Sequence, residues 1–133
     1  MSNLSLKDFD ILSQAEKDEA ISLLNRYEQL ENQKSCHKDF LSFVKYMWGD
    51  AFISGRHHKI IADKFNKIAQ GKLKRLIVCL PPRHSKSEFA STYLPAWMMG
   101  LNGALKIIQC THTAELAVRF GRKVRNLIDS DDF

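Results

Sequence analysis

The sequence predicts an α/β fold in which crossover helices connect the strands of a parallel sheet, with further helices before it. Two apolar runs, residues 76–80 and 105–110, are rich in β-branched side chains, as is typical of parallel strands buried on both faces. Helical periodicity precedes, separates and follows these runs. An order of strand, helix, strand, helix favours right-handed crossovers within one sheet.

Two helices are predicted at the start of the chain. Ser13 and Glu16 have capping-box spacing, and apolar residues then recur at helical intervals, which predicts an amphipathic helix with an acidic outer face over about residues 13–32. A polar break at residues 32–35 separates it from a second helix that ends near Gly49. We therefore expect an N-terminal appendage at residues 1–34 and the front portion of a larger domain at residues 35–133.

Three further helices are expected. The first follows a loop at residues 50–56 and is closed by Gly71, a suitable left-handed cap. The second begins near Lys86 and ends at Gly100, with Pro95 kinking it or starting a new helix. The third covers residues 113–129 and is expected to turn four apolar side chains inward: Leu116, Phe120, Val124 and Leu127.

Composition narrows the class of protein. The chain has 133 residues, and its three cysteines, odd in number and without a CxxC pair, argue against a disulfide framework and favour a reducing, cytosolic setting. The sequence shows neither a signal peptide nor an apolar run long enough to cross a membrane. Adjacent histidine and cysteine pairs lack the compact four-ligand spacing of a zinc site, and Cys79 and Cys110 are expected to be small core residues.

The charge is unevenly distributed. Residues 1–32 hold three basic and seven acidic side chains, whereas the remainder holds 17 basic and 8 acidic ones, a balance of −4 against +9. A basic body fits a polyanionic partner such as nucleic acid, and it also fits a solvated lysine-rich surface, which is the commoner case. Arg119, Arg122 and Arg125 share one side of the last helix and leave the same two interpretations open.

A polar loop between the first apolar run and the next helix carries the candidate chemistry. Residues 80–87 have the arrangement of a phosphate-binding loop, in which backbone N–H groups surround an anion. Lys86 is expected to neutralise the β- and γ-phosphates of ATP, Ser87 to bind Mg²⁺ through its hydroxyl, and Arg83 to reach the terminal phosphate. Lys86 and Arg83 are thus the candidate catalytic residues.

The loop departs from the general pattern G-x-x-x-x-G-K-[ST]. Leu80 stands at the first glycine position and Ser85 at the second, so Ser85 would bear a cost of roughly 1 kcal/mol if its φ is positive. A bare Lys-Ser dipeptide more often just opens a helix. Its placement between an apolar run and a helix favours phosphate binding.

The same segment resembles the bacteriophage terminase large subunit, whose ATPase domain opens with a deviant Walker A loop of the form P-P-R-H-[GS]-K-S-E. Residues 81–88 fit that form throughout, and residues 94–100 are similar to the family's F-P-A-W-x-x-G. The resemblance covers about residues 36–133 and makes Ser85 an ordinary family variant. It implies the front part of an ASCE-type P-loop ATPase domain, with its parallel sheet incomplete.

The resemblance also implies site residues outside the loop. Residues 52–58 lie where the family places an adenine-recognition segment, although exposed residues at a helix start are more often solvated. Thr111 to Thr113 correspond to a DNA-sensing loop, and helix capping is an equally good interpretation. The expected cofactor-binding residues are Pro82, Arg83, His84, Ser85, Lys86, Ser87 and Glu88 of the loop, with Arg56 and His57 for the base.

By this resemblance the parent activity is ATP-driven translocation of double-stranded DNA into a procapsid, followed by cutting with a nuclease domain. Portal protein, a small terminase subunit and a ring of identical subunits are the implied partners, in the cytoplasm of a bacterial host. No apolar run after Ser87 ends in the Asp-Glu pair needed for hydrolysis. A fragment of a superfamily 2 helicase-like ATPase and a non-catalytic nucleic-acid-binding module are the alternatives.

Overall fold

A computed structural model describes residues 13–131 and 133. Contacts divide the chain into two units, Met1–Lys34 and Ser35–Phe133. The described residues form helices joined by irregular segments. These are α1 (Gln14–Lys38), α2 (Phe40–Trp48), a 3₁₀ turn (Gly49–Ala51), α3 (Arg56–Ala69), α4 (Lys86–Glu88), a π-helical turn (Phe89–Tyr93), α5 (Leu94–Leu101) and α6 (Ala114–Ile128).

The expected parallel sheet is wrong for the described residues, which contain no strand. Residues 76–80 and 105–110 are irregular, and no backbone hydrogen bond between described residues joins them. Ile77 and Ile108 are 89% and 90% exposed, the opposite of the burial expected for central strands. A strand exists only through pairing with a neighbour, and an apolar run specifies no partner. Helices supply the core instead.

Helix α1 begins where the capping box predicts. Ser13 donates its backbone N–H to Glu16 Oε2 at 2.9 Å, and its hydroxyl lies 3.5 Å from the Glu16 backbone nitrogen. The expected break at residues 32–35 is wrong, because α1 continues to Lys38. Polar residues other than glycine and proline leave a helix intact. Nowhere in residues 13–131 is there a helix both long and apolar enough to cross a membrane.

The core of the second unit is centred on Phe40, which is fully buried. Its ring packs edge-to-face against Phe65, Phe89 and Trp97, with ring centroids 5.2, 5.5 and 5.5 Å away. These rings come from α2, α3, the π-helical turn and α5, so one side chain connects four elements. Trp97 Nε1 also donates a hydrogen bond to the Cys36 carbonyl oxygen at 2.7 Å.

A polar network fastens the start of α2 to α3. The Asn66 amide accepts from the Phe40 backbone N–H at 2.9 Å through Oδ1 and donates to Asp39 Oδ1 at 2.7 Å. Asp39 also caps α2 by accepting from the Ser42 backbone N–H. Burial opposes ionisation of Asp39, but hydrogen bonds from Asn66, Ser42 and the Leu41 backbone hold the pKa of its carboxyl below the usual value.

The helical run from Lys86 to Leu101 changes register at its middle. Pro95 lies in the first turn of α5, directly after the π-helical turn. Since proline has no N–H, the Ser91 carbonyl cannot receive the usual α-helical bond from it. The Gln109 side-chain amide donates to that carbonyl at 3.2 Å. The segment expected to be the second strand therefore contacts this helix through a side chain.

Helix α6 is close to its expected bounds. The Thr113 hydroxyl accepts from the Leu116 backbone N–H at 3.3 Å and caps the helix. Of the four side chains expected to face inward, Val124 is buried, Phe120 and Leu127 are half-buried, and Leu116 is 36% exposed. The inward face is thus correct over the second half of the helix.

Candidate functional site

The backbone of the phosphate-loop segment is bent by two left-handed residues. Ser85 has φ 57° and ψ 8°, and Arg83 has φ 63°. The positive φ at Ser85 means that the cost of roughly 1 kcal/mol, considered above for this case, applies. His84 between them has no positive φ, which gives the loop alternating backbone signs. Such alternation turns successive N–H groups towards one side, as in anion-binding nests.

Lys86 reaches back across this loop. Its ammonium Nζ donates to the Leu80 carbonyl oxygen at 3.3 Å. The backbone N–H groups of Arg83, His84 and Ser85 donate to no group in the described part of the chain. The loop borders a depression of about 570 Å³ lined by residues 81–88 and Trp48. A cation and several unpaired donors therefore lie beside an open concavity.

The remaining loop side chains take different positions. Arg83 and Ser87 are exposed, and neither side chain is hydrogen-bonded to any described residue. His84 is exposed, with Nδ1 2.8 Å from the Pro82 carbonyl oxygen. A free hydroxyl at Ser87 fits magnesium, which prefers hard oxygen ligands and completes its shell with water and phosphate oxygens.

Glu88 lines the depression and is also paired with two other side chains. One carboxylate oxygen forms an ion pair with Lys123 of α6, and the other accepts from the Thr92 hydroxyl at 3.3 Å. Burial, followed by the nearby charge of Glu88, raises the pKa of Tyr93. Glu88 therefore links the end of the phosphate loop to α6.

The expected adenine segment lies next to the loop. Gly55 precedes α3, and His57 in its first turn has its ring centroid 5.5 Å from that of His84. A Cβ added at Gly55 would lie 2.8 Å from His57 Cε1, so any larger residue there requires the His57 ring to shift. Arg56 is exposed, with no hydrogen bond or ion pair to a described residue. Of Arg56 and His57, the two residues expected to contact the base, His57 is the one whose ring lies beside a loop residue.

His58 is buried beside this contact. Its ring packs against both Phe52 and Phe89, with both centroids 5.0 Å away, and its Nδ1 accepts the Gly55 backbone N–H at 2.9 Å. Burial, then the charges of His57 and His84, lower the pKa of His58. The Nε2 atoms of His57 and His58 are buried without a hydrogen-bond partner. His58 therefore supports the start of α3 in its neutral form.

Two residues at the site were not identified from sequence. Trp48 lines the phosphate-loop depression and stacks on Tyr93, with centroids 5.2 Å apart and planes 9° apart. Lys123, 35 residues from Glu88, pairs with it. The sequence around Lys123 predicts only that it lies on an amphipathic helix. Contact with a distant loop leaves no local sequence signal.

The cysteines and the Thr111–Thr113 segment have simple structural explanations. Cys79 and Cys110 are exposed, so the expectation that they are core residues is wrong, whereas Cys36 is buried and burial raises the pKa of its thiol. Thr111 donates through its hydroxyl to the Thr113 carbonyl oxygen at 2.7 Å. Among the residues described, no three potential metal ligands come together.

Comparison with protein-family models, curated proteins and solved structures gave no match to this chain. The likeness to terminases therefore depends on the residues of the loop and of the segments after it.

Proposed function

We propose that this chain binds the triphosphate of a magnesium nucleotide through residues 82–88 and is the front part of a DNA-packaging ATPase of the terminase large-subunit type. The left-handed backbone at Ser85 carries this proposal. A serine held there takes a backbone conformation that glycine adopts freely, at a cost of roughly 1 kcal/mol, and backbone strain of this kind clusters at ligand-binding sites.

Lys86 and the loop amides support phosphate binding. The Lys86 ammonium is hydrogen-bonded only to the Leu80 carbonyl within the described chain, an uncharged partner that a phosphate can replace. The unpaired amides of residues 83–85 and the free Ser87 hydroxyl add donors and a magnesium ligand. Pro82, His84 and Glu88 shape the loop and its connection to α6. Arg83 is the candidate for the terminal phosphate.

The terminase-type proposal is supported by the unbroken fit of residues 81–88 to the family pattern and by the contact of His57 with His84. Double-stranded DNA, a portal protein, a small subunit and a ring of copies are the partners proposed with it, in the bacterial host cytoplasm. The exposed arginines of α6 favour a second function, a nucleic-acid-binding module without catalysis. Arg56 is the weaker candidate for base contact, so little discrimination between bases is expected.

Calorimetric titration with magnesium ATP tests the proposal. We expect weak binding by the unmodified chain and no detectable binding by Lys86→Ala. Lys72→Ala is the matched control, because Lys72 is exposed and lies outside the loop. Equal affinity in the unmodified chain and Lys86→Ala, with both folded by circular dichroism, would refute the loop assignment.

Hydrolysis is not expected from this chain. Phosphoryl transfer also needs an aspartate that orders magnesium, a glutamate that activates water and an arginine finger. Loss of a general base costs about 10²- to 10⁴-fold, and loss of an arginine finger about 10³- to 10⁵-fold. Phosphate release should match that of identically prepared Lys86→Ala, even with DNA present. A DNA-stimulated rate that disappears in the variant would contradict this prediction.

A further inference from the structure

One face of α6 carries two arginines that form no ion pair with a described residue, next to a lysine that does. Arg119, Arg122 and Lys123 line a depression of about 590 Å³ together with Ala114, Glu115, Val118 and Asn126. Both arginines are exposed, and neither is among the ion pairs of the described residues. Guanidinium groups left without carboxylates are suited to bidentate bonds with phosphate.

The composition of this face favours nucleic acid over a membrane. Residues three and four apart on a helix are neighbours, so Arg119, Arg122 and Lys123 form one continuous cationic strip. A nucleic-acid backbone offers a row of phosphates to such a strip. A helix that lies on a membrane needs large apolar side chains for insertion, whereas the apolar side chains lining this depression are Ala114 and Val118.

Lys123 belongs to this strip and to the phosphate loop. It lines the depression with the arginines and also a second one, of about 390 Å³, that includes Glu88 and Tyr93. Its ammonium forms the ion pair with Glu88, whose neighbour Ser87 is the candidate magnesium ligand. The Lys123 and Glu88 side chains are 37% and 35% exposed, so water and other charges can reach the pair. One cation thus has two possible anionic partners.

We propose that Arg119, Arg122 and Lys123, the α6 basic face, bind the backbone phosphates of nucleic acid, and that Lys123 exchanges Glu88 for a phosphate when they do. The exchange leaves the Glu88 carboxylate uncompensated beside the phosphate loop, where it repels a bound triphosphate. Nucleic acid and nucleotide therefore weaken each other's binding, by the same factor in both directions. The binding face stands by itself, and the linkage rests on the proposed nucleotide function.

The binding face is tested by the salt dependence of affinity for double-stranded DNA of mixed sequence, measured by filter binding without nucleotide. Each lost phosphate contact lowers the slope of log affinity against log salt by about 1. We expect Arg119→Gln/Arg122→Gln to lower it by about 2. Lys59→Gln/Lys72→Gln removes two exposed charges elsewhere and should leave most of the slope. An equal fall of the salt slope in both double variants would overturn the proposal that the α6 basic face binds DNA.

The linkage is tested by repeating the DNA titration with saturating magnesium ATP. We expect DNA affinity of the unmodified chain to fall about 5-fold, the lower end of typical couplings. Lys123→Gln should lose this change, whereas Lys123→Arg, which can pair with either anion, should keep it. No change in the unmodified chain, or the full change in Lys123→Gln, would overturn the exchange. If calorimetry detects no nucleotide binding, the linkage and the proposed function both fail, and the salt slopes still decide the binding face.

Discussion

Ser85 is a residue other than glycine that has a left-handed backbone conformation. Its left-handed φ of 57° is one that glycine adopts without steric cost. Arg83, two residues earlier, also has a positive φ. The loop geometry therefore does not depend on glycine, and its strain is held by the surrounding structure.

Replacing Ser85 by glycine should relieve this strain. We expect Ser85→Gly to bind magnesium nucleotide as the unmodified chain does and to gain up to about 1 kcal/mol of unfolding free energy, less any gain in flexibility of the unfolded chain. Calorimetry and urea unfolding measure the two effects. Ser85→Ala keeps the Cβ and should gain nothing. If both variants lose binding with their fold intact, the Ser85 hydroxyl makes a necessary contact.

His58 gives the stability a pH dependence. Its lowered pKa means that the unfolded chain binds a proton more readily than the folded one. Neutral His58 therefore makes its full contribution to folding stability above about pH 6.5, the pKa of histidine in the unfolded chain. This contribution is lost as the pH falls from there towards the lower pKa of His58 in the folded chain. Protonation of Nδ1 would also remove the acceptor of the Gly55 N–H.

We expect the Tm of the unmodified chain to fall as the pH is lowered from about 8 to about 5.5, and the Tm of His58→Asn to fall less over the same range. Asparagine keeps an acceptor near the Nδ1 position and does not titrate, although it loses ring packing and should lower Tm at every pH. His112→Asn, at an exposed position, is the control and should follow the unmodified chain. Thermal melts followed by circular dichroism measure these shifts. Parallel curves for His58→Asn and the unmodified chain would exclude His58 as the cause.

At the scale of elements, α2 and α3 are joined by one amide. Asn66→Ala removes the acceptor of the Phe40 N–H and a donor to Asp39, so we expect the unfolding free energy to fall by about 1–3 kcal/mol. Urea unfolding measures this change. Asn25→Ala, at an exposed position on α1, should change it by less than about 0.5 kcal/mol. A similar small effect of Asn66→Ala would show that water replaces both bonds.

Three helix ends were predictable because their signals are local, whereas the end of α1 was not. The Ser13 and Glu16 box, Gly49 after α2, and Thr113 before α6 all occupy the expected positions. The absence of the sheet could not be predicted. Residues 76–80 have a composition typical of a strand, and whether a strand forms depends on pairing with a segment that is distant in the sequence. In the site, the sequence indicated what a positive φ at Ser85 would cost but did not predict that φ would be positive. The ion pair of Glu88 with Lys123 depends on tertiary packing and could not be predicted.

At the scale of the whole molecule, two apolar segments remain unpaired. Ile77 and Ile108 are almost fully exposed, on irregular segments in which only the Leu80 carbonyl and the Leu105 N–H form backbone hydrogen bonds with described residues, so the other backbone groups can pair with another chain. Segments of this kind promote self-association. We therefore expect the chain to self-associate as its concentration rises.

Ile77→Thr/Ile108→Thr should reduce self-association in sedimentation experiments and leave Tm within a few degrees. Threonine keeps β-branching at both positions and removes exposed apolar surface. Val44→Thr is the contrasting control, since Val44 is fully buried and a hydroxyl there should lower Tm markedly. Unchanged association of the double variant would show that another surface is responsible.

The two tryptophans occupy different surroundings, which gives the molecule an optical reporter. Trp97 is buried and hydrogen-bonded to the Cys36 carbonyl, so its emission should remain constant while the fold is intact. Trp48 is half-buried on the wall of the phosphate-loop depression and stacks on Tyr93. A ligand that fills the depression changes the solvent and charge around Trp48 alone. Intrinsic fluorescence can therefore follow occupation of this loop without an attached dye.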